Sequence, residues 1–216
     1  MKLNKFIDHT LLSPDATIND IIELCSEAKH YDFFSVCVNS SHVSLAKKEL
    51  KDSKVKVCSV VGFPLGAACT KSKVFEAKNA ISNGADEIDM VINIGWLKSK
   101  RPLLIIQDIT EVKKIIGNKI LKVIIETCYL SEKEKKTACK LSVKAGADYI
   151  KTSTGFGTGG ATPEDLILIK KAVHGKAEIK ASGGIRDFET AMKYIKLGVS
   201  RIGTSSGIKI VTGFHH

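Results

Sequence analysis

The sequence predicts an α/β fold, a single-domain (β/α)8 TIM barrel over residues 1–216, and three observations carry that prediction. Eight short apolar runs rich in strand-forming residues recur roughly every 30 residues, with longer amphipathic stretches between them. A unit of helix end, glycine and apolar strand repeats in "SNGADEIDMV", "KAGADYIKTS" and "KLGVSRIGTS". No linker or low-complexity tract divides the chain, and no G-x-G-x-x-G turn follows the first strand, which weighs against a doubly wound open sheet.

The elements follow in order. "FIDHTL", "FSVCVN" and "KVCSVVGF" supply the first three strands. Gly84 suits the left-handed residue that closes a helix and leads into the fourth, "EIDMVINI". After the fifth, "KVIIET", Ser131 and Glu134 form a capping box in "SEKE" that opens the next helix. Gly146 closes that helix before the sixth strand, "YIKTST". Thr162 caps a helix with Pro163 at its first position, and the seventh strand, "EIKAS", follows. Asp187 caps "FETAMKYI", and Gly198 turns the chain into the last strand, "RIGTS".

Composition narrows the function. The apolar share of 44% is ordinary for a globular protein, and runs such as "DMVINIGWL" are too short to span a bilayer. "MKLNKFIDHTLL" has no signal-peptide pattern, so a cytoplasmic protein with no membrane partner is expected. The six cysteines form no C-x-x-C pair and share no spacing with histidines; reduced, packed thiols and no metal site are expected. The formal charge of +10 raises nucleic-acid binding. The cations are scattered lysines with only three arginines, Arg101, Arg186 and Arg201, and there is no aromatic platform, so no nucleic-acid partner is expected.

In such a barrel the reactive groups sit at the C-terminal ends of the strands. Asp8, Thr10, Asn39, Asp89, Asn93, Lys122, Glu126, Lys151, Thr152 to Thr154, Lys180 and Thr204 to Ser206 fall there. Lys151 and Lys180 lie at similar depth on neighbouring strands. A lone strand lysine would snorkel to water. Two confined ammonium groups instead repel, which favours a neutral, nucleophilic amine on one of them. An ordinary lysine near ~10.4 is unprotonated about once in a few thousand molecules at pH 7. Three glycine-rich stretches, "TSTGFGTGG", "ASGG" and "GTSSG", follow strands six, seven and eight and suit a phosphate.

"DHTLL", "VVGFPLGA", "GADEIDMVINIG", "LKVIIET", "GADYIKTSTGFGTGGAT", "IKASGGIR" and "RIGTSSG" together resemble the deoxyribose-phosphate aldolase family over essentially the whole chain. The resemblance implies a class I aldolase without metal or organic cofactor, cleaving 2-deoxy-D-ribose 5-phosphate reversibly to acetaldehyde and D-glyceraldehyde 3-phosphate. It implies Lys151 as the Schiff-base lysine, Lys180 as the second lysine that depresses its pKa, and Asp89 in a proton relay. Lys122 would help bind and polarise the substrate. Gly155, Gly183, Gly184, Ser205 and Ser206 match phosphate-binding positions, with Thr154 beside them. A small phosphorylated sugar is the implied partner, and a homo-oligomer, dimer or tetramer, the implied assembly. The alternative is another Schiff-base aldolase or a transaldolase on a small sugar phosphate.

The chain departs from the pattern in three places. Phe156 follows "TSTG" where some relatives have lysine. "GWLKSKRP" stands where many read like "GALKSGDY". "TGFHH" lacks the long tail ending in tyrosine of some relatives.

Overall fold

The computed structural model describes residues 2–213, and the "FHH" that ends the chain lies outside them. Along the chain run β1 (Ile7–Leu11), α1 (Ile18–His30), β2 (Ser35–Val38), α2 (Val43–Glu49), β3 (Lys56–Val61), α3 (Thr70–Ser82) and β4 (Glu87–Val91). Then come α4 (Ile94–Lys98), α5 (Pro102–Ile116), β5 (Ile120–Ile124), α6 (Glu132–Lys144), β6 (Tyr149–Lys151) and α7 (Pro163–Val173). β7 (Glu178–Ser182), α8 (Phe188–Lys196), β8 (Arg201–Thr204) and α9 (Gly207–Thr212) complete the order. The eight strands pair in parallel with their sequence neighbours, and β8 closes on β1. This is the (β/α)8 barrel the sequence predicts, with every strand in its place.

The expected helix signals hold. Ser131 and Glu134 cap each other across the first turn of α6, Thr162 caps α7 ahead of Pro163, and Asp187 caps α8. Gly84, Gly146 and Gly198 have φ of 103°, 92° and 102° after their helices. Several strands end earlier than the apolar runs do. β3 stops at Val61, because Gly62 turns to φ 62°. β4 stops at Val91, and Asn93 instead accepts from the Trp96 N–H to open α4.

The strand alternation builds two interiors. Outward-facing residues such as Val36, Val57, Ile88, Met90, Val123 and Ile150 pack under the helices as the main hydrophobic core. The barrel axis holds something different: Asp8, Glu87, Asp89, Lys122, Lys151, Lys180 and Arg201 are all between 0% and 2% exposed. A barrel core usually carries branched apolar residues in layers. Seven ionised groups in their place cost desolvation unless each is paired, so their pairing determines what the site can do.

Candidate active site

Asp89 is the hub. Lys122 Nζ donates to Asp89 Oδ1 at 2.8 Å, while Lys151 Nζ and Lys180 Nζ both donate to Oδ2, each at 2.8 Å. The strand register produces this convergence, with Asp89 beside Lys122 on β5 and Lys151 beside Lys180 on β7.

From Asp89 the pairing runs down and around the barrel. Lys122 Nζ also lies 2.6 Å from Glu87 Oε2. Glu87 Oε1 receives Arg201 Nη2 at 2.7 Å, and Arg201 Nη1 reaches Asp8 Oδ1 at 2.6 Å. Asp8 Oδ2 stands 2.5 Å from Lys180 Nζ in an ion pair without hydrogen-bond alignment, and Lys180 returns to Asp89. Three carboxylates and three cations thus alternate in a closed, neutral ring. Lys151 hangs from it as a fourth cation, and Asp89 is its carboxylate partner.

The ring polarises its members in one direction. Burial works against the charge of Asp89, but Lys122, Lys151 and Lys180 outweigh it and hold the carboxyl well below its ordinary range. Asp8 is lowered in the same way, burial being overcome by Lys180 and Arg201. Burial pulls Lys180 down, yet Asp8 and Asp89 raise it above an ordinary lysine. Lys122 is raised likewise against burial, chiefly by Asp89. Lys180 therefore stays charged next to Lys151.

Lys151 is only 2% exposed and does not snorkel. It sits on the floor of a cavity of about 250 Å³ at the C-terminal ends of the strands. Thr154, Gly155, Gly183, Gly184 and Ser205 line that cavity with it, together with Thr10, Leu12, Phe156 and Arg186. Ser206 is not among its lining residues, and its N–H donates to Thr204 Oγ1. Lys122 lies below the cavity, fully buried in the ring.

Backbone geometry shapes the cavity wall. Gly183 and Gly184 take successive positive φ of 86° and 78°, which presents consecutive amides around a concavity. A Cβ on Gly160 would overlap the Gly183 carbonyl, so the loops after β6 and β7 touch backbone to backbone. Gly203 on β8 has the same function at depth, since a Cβ there would lie 2.9 Å from Lys180 Cε. Thr154 is pinned by Glu126, which accepts from its N–H at 3.1 Å and from its hydroxyl.

Sequence reasoning missed part of this site. Glu87 lies two residues before Asp89 on the same strand face, and strand alternation alone could have drawn it in. Arg201 was visible only as one of three arginines. Cys37 and Cys58 are register partners that face the barrel interior, with Cys58 Sγ 3.1 Å from Asp89 Oδ1. Their sulfurs and an Asp89 oxygen lie within 4.8 Å of one another, a trio of metal-ligand types that the linear spacing conceals. Three ammonium groups already share that carboxylate, and burial pushes the Cys58 thiol well above its ordinary value. Within the trio the Cys58 thiol donates to Asp89, and its hydrogen bond with Cys37 holds the Cys37 thiol below its ordinary value.

Comparison with known proteins locates the chain. The DeoC/LacD family aldolase pattern matches residues 3–213. The chain belongs to that family. A deoxyribose-phosphate aldolase of Finegoldia magna is 61% identical over 99% of this chain and 100% of its own length. One of Brevibacillus brevis is 58% identical over 99% and 96%. Among solved structures, the tetrameric deoxyribose phosphate aldolase of Aeropyrum pernix is 33% identical with a TM-score of 0.90, covering 98% of this chain and 90% of that one. The family makes this barrel a carbon–carbon lyase. Among the described residues no helix is long and apolar enough to cross a membrane.

Proposed function

We propose that the chain cleaves 2-deoxy-D-ribose 5-phosphate to acetaldehyde and D-glyceraldehyde 3-phosphate, and the reverse, through a Schiff base on Lys151. One observation carries the reading: Lys151 is the cation left over when the ring is counted, and it faces the cavity. Loss of its proton returns the buried cluster to neutrality and leaves Asp89 paired with Lys122 and Lys180. The names of the two bacterial relatives support the substrate.

The neutral amine of Lys151 attacks the C1 aldehyde of the open-chain sugar. The carbinolamine loses water to an iminium, an electron sink for the next step. The C3 hydroxyl gives its proton to the Asp89 carboxylate through a water, the C2–C3 bond breaks, and its electrons pass to the iminium as an enamine on Lys151. D-Glyceraldehyde 3-phosphate leaves. Protonation of the enamine carbon and hydrolysis then release acetaldehyde and the free amine. Lys180 is the proton source next to the reacting nitrogen, and Asp89 returns protons between the two lysines. Lys122 acts from below, fixing Asp89. Gly183, Gly184 and Ser205, with Thr154 and Gly155 opposite, hold the phosphate, and Arg186 at the rim adds charge. Ser206 supports the turn that presents Ser205.

The same reading carries the cytoplasmic, catabolic role. It includes a homo-oligomer, to which the tetrameric relative and the exposed Leu65, Phe75 and Leu103 lend support.

Borohydride trapping tests it. The protein is incubated with deoxyribose 5-phosphate, reduced and digested, and the added mass is located by peptide mass spectrometry. A substrate-dependent adduct on Lys151 is expected. An adduct on Lys180 reverses the roles of the pair, and no adduct from folded protein defeats the Schiff base.

A further inference from the structure

Just past β5 the ladder to β6 slips by one residue. Ile125 N–H donates to the Lys151 carbonyl at 3.1 Å and Thr127 N–H to the Thr152 carbonyl at 3.0 Å, so two residues advance on one side against one on the other. The extra residue is Glu126, which takes φ 52°, a conformation that residues with a side chain seldom adopt. A bulge of this kind re-aims a side chain. Here it delivers a carboxyl group that is 2% exposed, and no cation pairs with it among the described residues.

The partners of Glu126 come from the loop after β6. Oε1 accepts from the Thr154 N–H at 3.1 Å, and Oε2 accepts from the Thr154 hydroxyl. The same hydroxyl oxygen accepts from the Phe156 N–H at 3.0 Å. Gly157 then closes over the group, since a Cβ there would lie 3.3 Å from Glu126 Cδ. Thr154, Gly155 and Phe156 line the Lys151 cavity, whereas Glu126 does not. Both polar hydrogens of Thr154 are committed to Glu126, so Thr154 has none to offer a phosphate. Gly155 sits between the two anchored residues at φ 89°, and its N–H has no partner among the described residues. A strained backbone and a buried charge without a cation are both costly, and such costs persist where a site needs them. We infer that Glu126 is a positioning residue, acting through Thr154 to hold the Gly155 amide in the phosphate wall without touching the substrate. The inference rests on the aldolase reading above, and it narrows the part of Thr154 in that wall to the placement of its neighbour.

The test compares kcat/KM for deoxyribose 5-phosphate and for unphosphorylated deoxyribose in the parent enzyme, in Glu126→Gln and in Thr154→Val. Glu126→Gln fills the same space but turns an amide donor toward the Thr154 hydrogens. Thr154→Val removes the hydroxyl that joins Glu126 to Phe156. A misplacement on the order of 1 Å can cost on the order of 100-fold. In both variants the preference for the phosphorylated sugar is therefore expected to fall about tenfold or more, mainly through KM, with borohydride still trapping an adduct on Lys151. Thr154→Ser, which keeps both donors, should lose less of that preference than Thr154→Val. A drop in thermal stability with the preference unchanged makes Glu126 a support of the fold alone and overturns the inference. An equal loss on both sugars overturns it too, because the effect then falls on Lys151. Should Glu126→Gln fail to fold by circular dichroism, Thr154→Val decides, since it leaves the bulge and the carboxyl group in place. A parent enzyme that forms no adduct on Lys151, or that shows no preference for the phosphorylated sugar, overturns the aldolase reading, and the inference with it.

Discussion

Lys151 and Lys180 share one oxygen atom. Each nitrogen lies 2.8 Å from Asp89 Oδ2, but Lys180 also holds Asp8, whereas Lys151 has Asp89 as its carboxylate partner. Two lysines that are register partners on adjacent strands are thereby made unequal. One belongs to a neutral ring, and the other is a surplus charge beneath a cavity.

That inequality predicts opposite effects on activity and stability at Lys151. Lys151→Met removes the proposed nucleophile, and kcat is expected to fall about a millionfold, as for another essential nucleophile. It also removes the one buried cation in excess of the ring's charge balance. The midpoint of thermal unfolding should stay level or rise, since replacing buried charge with an apolar side chain is often stabilising by about 1 to 4 kcal/mol. A loss of activity accompanied by a clear fall in the midpoint contradicts the charge count. Differential scanning calorimetry beside the kinetic assay decides.

Removing a member of the ring should do the reverse. Glu87→Gln leaves Arg201 and Lys122 each with one carboxylate fewer in a site with 2% exposure or less. Breaking such a buried pair costs about 3 to 5 kcal/mol. Urea denaturation measures the loss. Glu87 does not line the cavity, so KM for substrate should move less than stability does. A stability change under about 1 kcal/mol indicates that the ring does not act as a unit.

Much of this was legible in the sequence, and the misses have physical causes. Eight strands were readable because each is a compact apolar run after a turn signal, and the depth match of Lys151 and Lys180 follows from equal offsets within their strands. Strand alternation breaks down where the backbone leaves the strand. Glu126 takes φ 52° after β5 ends, so it turns to Thr154 instead of sharing a face with Lys122. The ring itself joins residues as far apart in sequence as Asp8 and Arg201, and only barrel closure brings them together. Cys37 and Cys58 looked like packing thiols because nothing in their spacing shows that they face the axis.

The pH dependence of stability follows from the same groups. Asp8 and Asp89 are held below their ordinary 3.8, so their contribution is complete above that value and is lost as pH falls through the lower folded values. Lys122 and Lys180 are raised above 10.5, so their contribution is complete below that value and is lost as pH rises through the higher folded values. A plateau between about pH 4 and 10 is expected from the ring, with falling edges on both sides. Unfolding free energies from urea titrations across that range measure it. Asp8→Asn should lower the plateau and flatten the acid edge, and an unaltered acid edge counts against the assignment.

The phosphate wall gives the last prediction. Gly183 needs positive φ, and a Cβ there would lie 2.8 Å from Gly160 Cα, so Gly183→Ala must push the two loops apart. Overpacking of this kind costs about 1 to 3 kcal/mol. In the proposed reading the shift falls on the amides that hold the phosphate, away from Lys151. Deoxyribose 5-phosphate should therefore lose far more kcat/KM than unphosphorylated deoxyribose, a substrate that never uses the wall. Arg186→Ala should show the same selectivity without the loss of stability, because its side chain is exposed at the cavity rim. Steady-state kinetics with the two sugars separates these outcomes. An equal loss on both substrates means that the loops position Lys151 rather than hold a phosphate, and the phosphate must then be sought elsewhere on the barrel rim.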